Sequence, residues 1–406
     1  MRIGNFVSVY PARSHTFIRR ELNSLSAIGF ETFRFSIRRM NTCEILDEVD
    51  LSEFQSTTPV YPLPLVFLIK ELVYYLTCRP GSFFSSLYFA LRFRSDECFG
   101  FVQSMKYFLG GIILAGYSRR SNIDILHAHF ANAGACVCSI AAKLTGLKWG
   151  ISLHGLSDFG SSSLRLLPHL INDASFVRCI SKFGRSQAML YSSKNNWEKI
   201  FVSYSGVPPI VPFQSSSEDS LEAHRAITLV TVGRLAPEKA HILLVQALSR
   251  IEIKRFNFKC LIVGDGPMRN DIEDAITQYQ LNDRFFLIGA VSESSVRSYL
   301  AAADIFVLTS LMEGIPQVLM EAMQNGVPIV APRVSGIPEL VTDGVEGLLF
   351  TPGDEDSLVE SLASLLSNSQ LRRECGKAGR LKIETDFLSQ TTISPLADAF
   401  KAHIQE

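Results

Sequence analysis

The sequence predicts an α/β fold built from two doubly wound domains. Runs of continuous apolar residues, such as ITLVTV (227–232) and IFVLTS (305–310), alternate with helix-like stretches along the chain. Such runs are typical of parallel strands that are covered on both faces. A proline- and serine-rich segment, SGVPPIVPFQSSSEDS (205–220), interrupts the alternation near the middle and indicates a linker.

The elements follow in order from this pattern. In the first half we predict strands at 2–9, 30–37, 124–129, 148–153, 174–180 and 198–204. In the second half we predict strands at 227–232, 258–263, 284–288, 304–308, 328–331 and 347–350, with helices at 239–251, 267–280, 294–303 and 316–325. Each half therefore carries its own βαβ series.

The length of 406 residues exceeds that of one ordinary core. We predict Rossmann-like domains at 1–207 and 226–386, a linker at 208–225, and a C-terminal helix at 387–406 that belongs to either half and could pack back on the N-terminal domain. Open α/β sheets bind ligands at the carboxyl ends of their strands. If the two domains face each other, the functional side chains should line one cleft, on strand-to-helix loops.

Composition excludes several classes of protein. Hydrophobic residues make up 47% of the chain and charged residues 19%, which is typical of a globular protein. The net charge of −1 lacks the basic surplus of a general nucleic-acid binder, so no nucleic-acid partner is expected. The eight cysteines are scattered without zinc or thioredoxin spacing, which predicts free thiols in a reducing cytosol. The N-terminal stretch has no long apolar segment, so no signal peptide is expected.

Two apolar stretches, 61–77 and 99–117, raise the question of a membrane. Lys70, Glu71 and Lys106 interrupt them, which favours buried or amphipathic helices over spans of ~20 apolar residues. Aromatic-rich helices with basic residues at their edges can also lie on a membrane surface. The segment FFSSLYFALRFR (83–94) adds to this second possibility.

The loop GRLAPEKAH (233–241) follows the first strand of the second half. Gly233 allows a ligand to approach the backbone. Arg234 and Lys239 place two cations near a helix start, which is a favourable position for phosphate. The alternative is two solvated charges in a loop.

Two further loops end strands of the same half. GDGP (264–267) contains Gly266 and is sufficiently explained as a tight turn before a helix, although its glycines also leave room for a ligand. In FFLIGAVSE (285–293), the backbone of Ile288 is a candidate for contact with a planar base.

Two glutamates stand out in LMEGIPQVLMEAMQNGVP (311–328), with Glu313 in a loop and Glu321 on the helix that follows. Helical rise limits their separation to ~12 Å, whereas a paired-carboxylate dyad of the retaining glycosidase kind needs ~5 Å. The spacing suits two contacts to one long ligand. The alternatives are a helix-start carboxylate for Glu313 and a surface glutamate for Glu321.

Together, GRLAPEK, GDGP, EGIPQVLMEA, GVPIVA and GIPE resemble the donor half of glycosyltransferase family 4, which has the GT-B fold, across roughly 227–351. The resemblance implies a nucleotide-sugar donor, a UDP or GDP sugar. It assigns the diphosphate to Arg234 and Lys239, the sugar hydroxyls to Glu313 and the ribose hydroxyls to Glu321. The backbone around Gly314, Ile315 and Gln317 would lie near the sugar and phosphate.

In the N-terminal half, YPARSHTFIRREL (10–22) resembles a segment of exopolysaccharide and colanic-acid-type transferases. That segment makes Ser14, His15 and Thr16 candidates on the acceptor side, with His15 in place of the usual acidic residue. ISLHGLSDF (151–159) is similar to the family's H-G-x-D, which makes His154 a candidate catalytic residue and Asp158 a weaker one on the acceptor side.

His127 and His129 end another strand, and we place His129 on the acceptor side. For all three histidines of these strand ends, a hydrogen-bonded structural role is the alternative.

The resemblance implies a retaining hexosyltransferase that works without a metal or other cofactor, with His154, Glu313, Arg234 and Lys239 as the catalytic set. The sequence Asp354-Glu355-Asp356 opens a helix, so we expect no metal site there. The aromatic and basic helices favour a lipid-linked or other saccharide acceptor, and a peripheral position in the cytoplasm at the inner face of the plasma membrane.

Three alternatives remain open. The chain could be a catalytically silent member of a polysaccharide assembly complex, but such a protein should have lost the Arg, Lys and Glu set. A sugar-nucleotide epimerase of the same fold is also possible. A nicotinamide oxidoreductase would need a GxGxxG motif early in the chain, where only Gly4 and Gly29 occur.

Overall fold

The computed structural model describes residues 1–12, 15–42, 45, 48–95, 100–160, 163, 165–210, 225–251 and 256–404. These residues form two compact units, one of Met1–Ser205 with Thr392–Glu406 and one of Gly206–Thr391. Each unit has one parallel sheet with helices between successive strands, which confirms the predicted α/β class. Most of the predicted linker, residues 211–224, lies outside the described residues.

The first unit has a seven-stranded parallel sheet in the order β3-β2-β1-β4-β5-β6-β7. Its strands are β1 (Arg2–Val9), β2 (Glu31–Arg38), β3 (Thr57–Pro59), β4 (Ile125–His129), β5 (Lys148–Leu153), β6 (Phe176–Cys179) and β7 (Ile200–Val202). Its helices before the linker are α1 (Thr16–Ala27), α2 (Glu48–Ser56), α3 (Leu65–Cys78), α4 (Pro80–Ser95), α5 (Phe101–Arg120), α6 (Ala133–Thr145), α7 (Leu167–Asp173) and α8 (Lys182–Leu190).

The second unit has a six-stranded parallel sheet in the order β10-β9-β8-β11-β12-β13. Its strands are β8 (Ile227–Val232), β9 (Phe258–Val263), β10 (Phe285–Gly289), β11 (Ile305–Val307), β12 (Ile329–Pro332) and β13 (Gly347–Phe350). Its helices are α9 (His241–Arg250), α10 (Arg269–Gln278), α11 (Glu293–Ala301), α12 (Gln317–Gln324), α13 (Ile337–Leu340), α14 (Glu355–Ser367) and α15 (Ser369–Asp386). The short α16 (Ser389–Thr392) and the last helix, α17 (Ser394–Ile404), follow.

All twelve predicted strands are present, with ends that differ by at most two residues. The prediction missed β3, which has only three residues and ends in proline. It pairs with β2 from Arg34 to Ser36, and its position at the sheet edge tolerates a residue that has no backbone N–H to donate. Apart from this edge strand, the apolar runs were sufficient to locate both sheets.

The two apolar stretches of the first half are helices. Residues Gly110 to Gly116 of α5 are fully or almost fully buried, and α5 packs closely on α6: a Cβ atom on Gly111 would lie 2.4 Å from a methyl group of Ile140. Among the described residues, no helix combines the length and the apolar character needed to cross a bilayer.

The last helix, α17, packs within the first unit. The ring of Phe400 is fully buried and lies 5.4 Å from the ring of Phe176 and 5.2 Å from that of His127. The hydroxyl of Ser203 donates to the carbonyl of Thr392 at 2.7 Å. The end of the chain therefore completes the core that supports β4 and β6.

Candidate functional site

The loop after β8 occupies the middle of the carboxyl edge of the second sheet, since β8 lies between β9 and β11. Gly233 opens this loop, and Pro237–Lys239 form a single 3₁₀ turn. Ala240, with a φ of 47°, then turns the chain into α9. The loop thereby places Arg234 and Lys239 beside strand ends that lie far from them in sequence.

Lys239 forms an ion pair with Glu313, its Nζ donating to Oε1 of the carboxylate. The side chains are 24% and 10% exposed, so the pair is partly removed from water. Two contacts fix the loops that carry it: the N–H of Leu311 donates to the carbonyl of Glu238 at 2.8 Å, and the hydroxyl of Thr309 donates to the carbonyl of Lys239 at 2.9 Å. The structure thus brings together two predicted site residues that are 74 positions apart.

Arg234 is more open to solvent than Lys239. Its side chain is 68% exposed and donates from Nη2 to Glu238, four residues further along the chain, at 2.7 Å. This pairing lowers the pKa of the Glu238 carboxyl. An exposed pair of this kind contributes little stability, so the guanidinium can exchange Glu238 for another anion at small cost.

Glycines allow neighbouring loops of this edge to touch through their backbones. A Cβ atom on Gly264, whose φ is 141°, would lie 1.9 Å from the carbonyl oxygen of Gly233. A Cβ on the predicted site residue Gly266 would lie 2.4 Å from the carbonyl of Leu235. A Cβ on Gly336 would lie 2.3 Å from the carbonyl oxygen of Gly314, and this oxygen accepts from the N–H of Gly336 at 3.1 Å. The GDGP and GIPE motifs therefore have a packing role whether or not they contact a ligand.

The segment from Gly314 to Glu321 connects β11 to α12. Ile315 is buried, whereas Gly314, Gln317 and Glu321 are partly buried. Pro316 precedes the first helical residue and gives α12 no side-chain cap. The N–H of Leu319 donates to the carbonyl of Pro316 at 3.1 Å, and no N-cap side chain serves the first turn. A helix start of this kind favours an anion. Ile288, partly buried in β10, lies two strands away from β8 on the same sheet.

In the first unit, His154 directly follows β5 and is held by Asp158. One carboxylate oxygen of Asp158 accepts from the N–H of His154 at 2.6 Å and from that of Gly155 at 3.2 Å, and the other accepts from Ala131 at 2.6 Å. Asp158 is fully buried, and this burial raises the pKa of its carboxyl to about 6, although the three hydrogen bonds act to lower it. Its contacts give it the role of fixing the loop that carries His154.

Four histidines lie close together at this end of the sheet. Nδ1 of His129 and Nε2 of His154 are hydrogen bonded at 3.0 Å, and His127 bonds to Asn5 at 3.2 Å and Ser152 at 2.9 Å. Burial lowers the pKa of His15 to about 4 and that of His127 to about 3, and it lowers the pKa of His129 and His154 well below the usual value. All four are therefore neutral near pH 7.

Two buried charges support these histidines. Glu21, on the inner face of α1, is paired with Arg178 of β6. Burial raises the pKa of Glu21, and the guanidinium opposes this rise. Because an unpaired buried guanidinium would be costly, we treat the pair as ionic.

Glu21, His127 and His129 also bring one potential metal-ligand atom each within 4.8 Å of one another. The surrounding contacts fit a cation poorly. Arg178 already neutralises the carboxylate, and both ring nitrogens of His127 are engaged by Asn5 and Ser152. We therefore assign the cluster to the polar core of this unit.

The remaining acceptor-side candidates lie at the start of α1. Thr16 is its first residue, and the ring of His15, just before it, lies 5.2 Å from the ring of Phe130. Phe130 also contacts His154 at 4.8 Å, so His15 and His154 share a neighbour. Ser14 lies outside the described residues.

The carboxylates of Asp354-Glu355-Asp356 have structural partners. Asp354 caps α14 by accepting from the N–H of Ser357 at 3.2 Å. Arg250 pairs with Glu355 at 3.1 Å and with Asp356 at 2.6 Å. These contacts agree with the interpretation of this segment as a helix start.

Sequence reasoning missed four supporting residues: Glu21, Arg178, Thr309 and His241. Glu21 was detectable, because it shares the buried face of α1 with Ile18, Leu22 and Leu25 at helical spacing. Arg178 was detectable as a charge inside the apolar strand FVRC. His241 is buried behind Lys239, and this burial lowers its pKa to about 4; no sequence pattern marked it or Thr309.

Comparison with known proteins gives a family match over residues 213–382, which fit the model described as "Glycosyl transferases group 1". This region contains the loops after β8, β9, β10, β11 and β12.

Relatives extend the similarity beyond that region. The chain is 30% identical to the amylovoran biosynthesis glycosyltransferase AmsK of Erwinia amylovora over 73% of its own length and 74% of the relative's. It is 28% identical to the putative colanic acid biosynthesis glycosyltransferase WcaL of Salmonella typhimurium over 98% of both chains. It is 29% identical to the phosphatidylinositol N-acetylglucosaminyltransferase gpi3 subunit of Schizosaccharomyces pombe, but spans only 54% of that protein.

Among solved structures, Alr3699/HepE of Anabaena, determined in complex with UDP, superposes with a TM-score of 0.74. The similarity covers 99% of this chain and 100% of the other, at 18% identity, and therefore concerns the fold.

Proposed function

The chain belongs to the group 1 glycosyl transferases and has the GT-B fold, and we propose that it moves a hexose from a nucleoside diphosphate sugar to a growing, lipid-linked saccharide. The proposal includes retention of the anomeric configuration and a same-face substitution through an oxocarbenium-like state. As a glycosyltransferase, it needs a site that binds a diphosphate and a sugar side by side.

One observation carries the donor assignment: the ion pair between Lys239 and Glu313. It holds a cation and a carboxylate next to each other at the carboxyl edge, beside the uncapped first turn of α12. In our proposal Lys239, Arg234 and the helix N-terminus bind the diphosphate, and Glu313 accepts hydrogen bonds from sugar hydroxyls. Glu321, on α12 itself, binds the ribose. The UDP complex of HepE supports a uridine nucleotide.

The same groups supply the chemistry that such a transfer requires. Negative charge develops on the departing diphosphate, and preorganised donors in a partly dry site stabilise it most effectively. Lys239 and the first-turn N–H groups are fixed before the substrate arrives, so little reorganisation is needed. Glu313 orients the sugar with an oxygen that Lys239 does not occupy.

The donor assignment is tested with Glu313→Gln and Arg234→Ala, using mixed nucleotide sugars and lipid-linked acceptors with product detection by mass. We expect Glu313→Gln to lower turnover by ~10²-fold or more, as for loss of one transition-state contact. Arg234→Ala should weaken inhibition by free nucleoside diphosphate as well as turnover. The matched controls are Glu384→Gln and Arg380→Ala, an exposed i, i+4 pair on α15. Unchanged turnover in Glu313→Gln would contradict a role for the Glu313 carboxylate in binding the donor sugar.

The lipid-linked acceptor and the membrane position rest on the surface of α3 and its neighbours. Leu65, Val66, Ile69, Val73 and Leu76 form an exposed apolar stripe along α3. Phe84 and Tyr88 of α4 are 60% and 74% exposed. Isolated exposed apolar residues are ordinary, but a continuous stripe is typical of an interaction surface.

The charges around this stripe favour an anionic lipid surface. Among residues 61–120 whose side chains the structure describes, the exposed charged ones are all cationic: Lys70, Arg79, Arg92, Lys106, Arg119 and Arg120. The acidic residue Glu71 is buried and accepts from Arg119 at 2.9 Å. An apolar stripe within a basic surface matches the requirements of interfacial binding, and we propose that it rests on the inner face of the plasma membrane.

A further inference from the structure

A chain of buried contacts runs from Arg178 to His154 in the first unit. Arg178 donates from Nε to the carbonyl of Ser203 at 2.8 Å and from Nη2 to the hydroxyl of Ser205 at 3.1 Å, and its Nη1 donates to Oε2 of Glu21. The other carboxylate oxygen, Oε1, lies 3.9 Å from Nε2 of His129. Neither of these two atoms has a hydrogen-bond partner within the described part of the chain.

The next link is the hydrogen bond between Nδ1 of His129 and Nε2 of His154, at 3.0 Å. A neutral imidazole has one N–H and one lone pair, so this bond has two possible forms. In the first, His129 carries its proton on Nε2 and His154 donates from Nε2. In the second, both protons are moved to the Nδ1 atoms and His129 donates.

The position of Glu21 distinguishes the two forms. The first form points the N–H of His129 at the carboxylate oxygen 3.9 Å away. The second points a lone pair at it, in a buried environment where electrostatic interactions are strong. We infer that Glu21 is a positioning residue for His154: through His129 it selects the tautomer that has Nε2–H and leaves a lone pair on Nδ1.

This inference defines what His154 can offer to a substrate, and it rests on the proposed function for the identity of that substrate. With Nε2–H committed to His129, Nδ1 is the remaining polar atom of the ring. It is buried without a hydrogen-bond partner among the described residues, and it can accept but not donate. A sugar hydroxyl that meets the His154 side chain would therefore be the donor. The rings of Phe17 and Phe130, at 4.6 and 4.8 Å, hold the imidazole in place.

His127 provides an internal reference. Its Nδ1 lies 3.2 Å from Oδ1 of Asn5, an atom that only accepts, so Nδ1 must carry the proton. Its Nε2 then accepts from the hydroxyl of Ser152 at 2.9 Å. That hydroxyl in turn accepts from Arg178 at 3.4 Å. Oε1 of Glu21, 4.0 Å from Nδ1 of His127, favours the same proton position, but the hydrogen bonds to Asn5 and Ser152 already determine the tautomer of His127.

The tautomers can be measured directly by long-range ¹H–¹⁵N spectra of the full chain labelled with ¹⁵N-histidine, assigned with single histidine variants. In the wild type we expect Nε2–H for His154 and Nδ1–H for His127. In Glu21→Gln, the amide carbonyl can keep Arg178 while the amide N–H₂ faces His129. We then expect His129 and His154 to invert to Nδ1–H while His127 stays unchanged. Wild-type His154 protonated on Nδ1, or no inversion in the variant, overturns the inference.

Kinetics provide a second readout that a purely structural role would not change. We expect Glu21→Gln to lower kcat by ~100-fold, the lower end of the range for loss of a correctly placed proton acceptor, with little change in KM for the donor. In a His154→Gln background, Glu21→Gln should cause no further loss; an additive loss contradicts action through His154. If Glu21→Gln does not fold, the wild-type spectrum alone decides. The expected spectrum without any sugar transfer would refute the proposed function and leave this inference standing.

Discussion

At the scale of single residues, Glu313 shows how a partly buried carboxylate can be kept available for a ligand. Among the described residues, Lys239 contacts one of its two oxygens. The ion pair offsets the cost of partial burial and leaves the other oxygen to accept from hydroxyl groups. Fixing the carboxylate before the ligand binds also lowers the entropy lost on binding.

Asp158 leads to a prediction about pH. Burial raises its pKa from 3.8 to about 6, so between these values the folded protein binds a proton that the unfolded chain has released. The contribution of Asp158 to stability should therefore rise as the pH falls from about 6 towards 4, by up to ~3 kcal/mol. Asp158→Asn lacks this titration. We expect the wild type to gain free energy of unfolding relative to Asp158→Asn over that range, measured by urea denaturation.

The comparison isolates Asp158, because the other titrating groups, including the four buried histidines, are common to both proteins. A constant difference between the wild type and Asp158→Asn from pH 4 to 6 would contradict the prediction.

The charged residues of the donor loops could be predicted from the sequence, but the residues that support these loops could not. Glu313 and Lys239 were found because strand-to-helix loops concentrate function. Thr309 supports the Lys239 loop by donating its hydroxyl to the carbonyl of Lys239, and His241 supports it through burial. No local sequence pattern indicates either contact. The shift of Asp158 by one residue from the family motif weakened its prediction, yet the structure shows it bound to the backbone of His154.

At the scale of elements, the carboxyl edge of the second sheet is a set of loops in backbone contact. Hydrogen bonds join the loop after β9 to the end of β10 (Gly264 to Gly289, 2.9 Å), the loop after β8 to that after β9 (Leu235 to Asp265, 3.0 Å), and the loop after β11 to that after β12 (Gly336 to Gly314, 3.1 Å). Each contact requires close approach of two backbones. A substitution that displaces one loop should therefore also displace the loop in contact with it.

Gly336→Ala tests this coupling. Gly336 has an ordinary φ of −86°, so alanine causes no backbone strain, but its Cβ would lie 2.3 Å from the carbonyl oxygen of Gly314. We expect a destabilisation of ~1–3 kcal/mol from overpacking, together with weaker binding of nucleoside diphosphate measured by calorimetry. The control is Gly100→Ala, where a Cβ meets nothing within 4 Å. Unchanged nucleotide affinity in Gly336→Ala would show that the contact between Gly336 and Gly314 does not influence nucleotide binding.

The apolar stripe of α3 leads to a prediction about lipid surfaces. Val66, Ile69 and Val73 are 72%, 59% and 54% exposed, so replacing all three with serine should not disturb the core. We expect sedimentation with anionic phosphatidylglycerol vesicles to weaken by at least ~10-fold, since losing ~1.4 kcal/mol of apolar transfer has that effect. Leu381→Ser, equally exposed at 64% but on α15, is the control. Equal binding of the wild type to neutral phosphatidylcholine vesicles would contradict the role of the basic residues.

Element prediction succeeded wherever the sequence carries a recognisable strand pattern and failed for the edge strand β3. Runs such as ITLVTV admit one interpretation because both faces of the strand are covered. β3 has three residues at a sheet edge, where neighbouring β2 decides its pairing, so its own sequence carries little signal. For α3, the sequence indicated an apolar helix, but only the structure showed that one face of it is exposed.

At the scale of the whole molecule, the chain crosses between its two units twice. The units meet in sequence at Ser205–Gly206 and again at Thr391–Thr392, so the first unit contains both ends of the chain. Sequence composition marked the first crossing through its prolines and serines. The second falls within the short helix α16, where no change of composition reveals it.

This connectivity makes the stability of the first unit depend on the last residues of the chain. Phe400 is fully buried against Phe30, His127 and Phe176, all of the first unit. We expect Phe400→Ala to destabilise that unit by ~3–5 kcal/mol, as for other buried aromatic truncations. Hydrogen–deuterium exchange should accelerate in β1, β4 and β6, while β8, β9 and β11 keep their protection and the nucleotide its affinity. Leu381→Ala, an exposed residue on α15, is the control. Equal acceleration in both sheets would mean that the units unfold as one, and that α17 supports the whole chain and not the first unit alone.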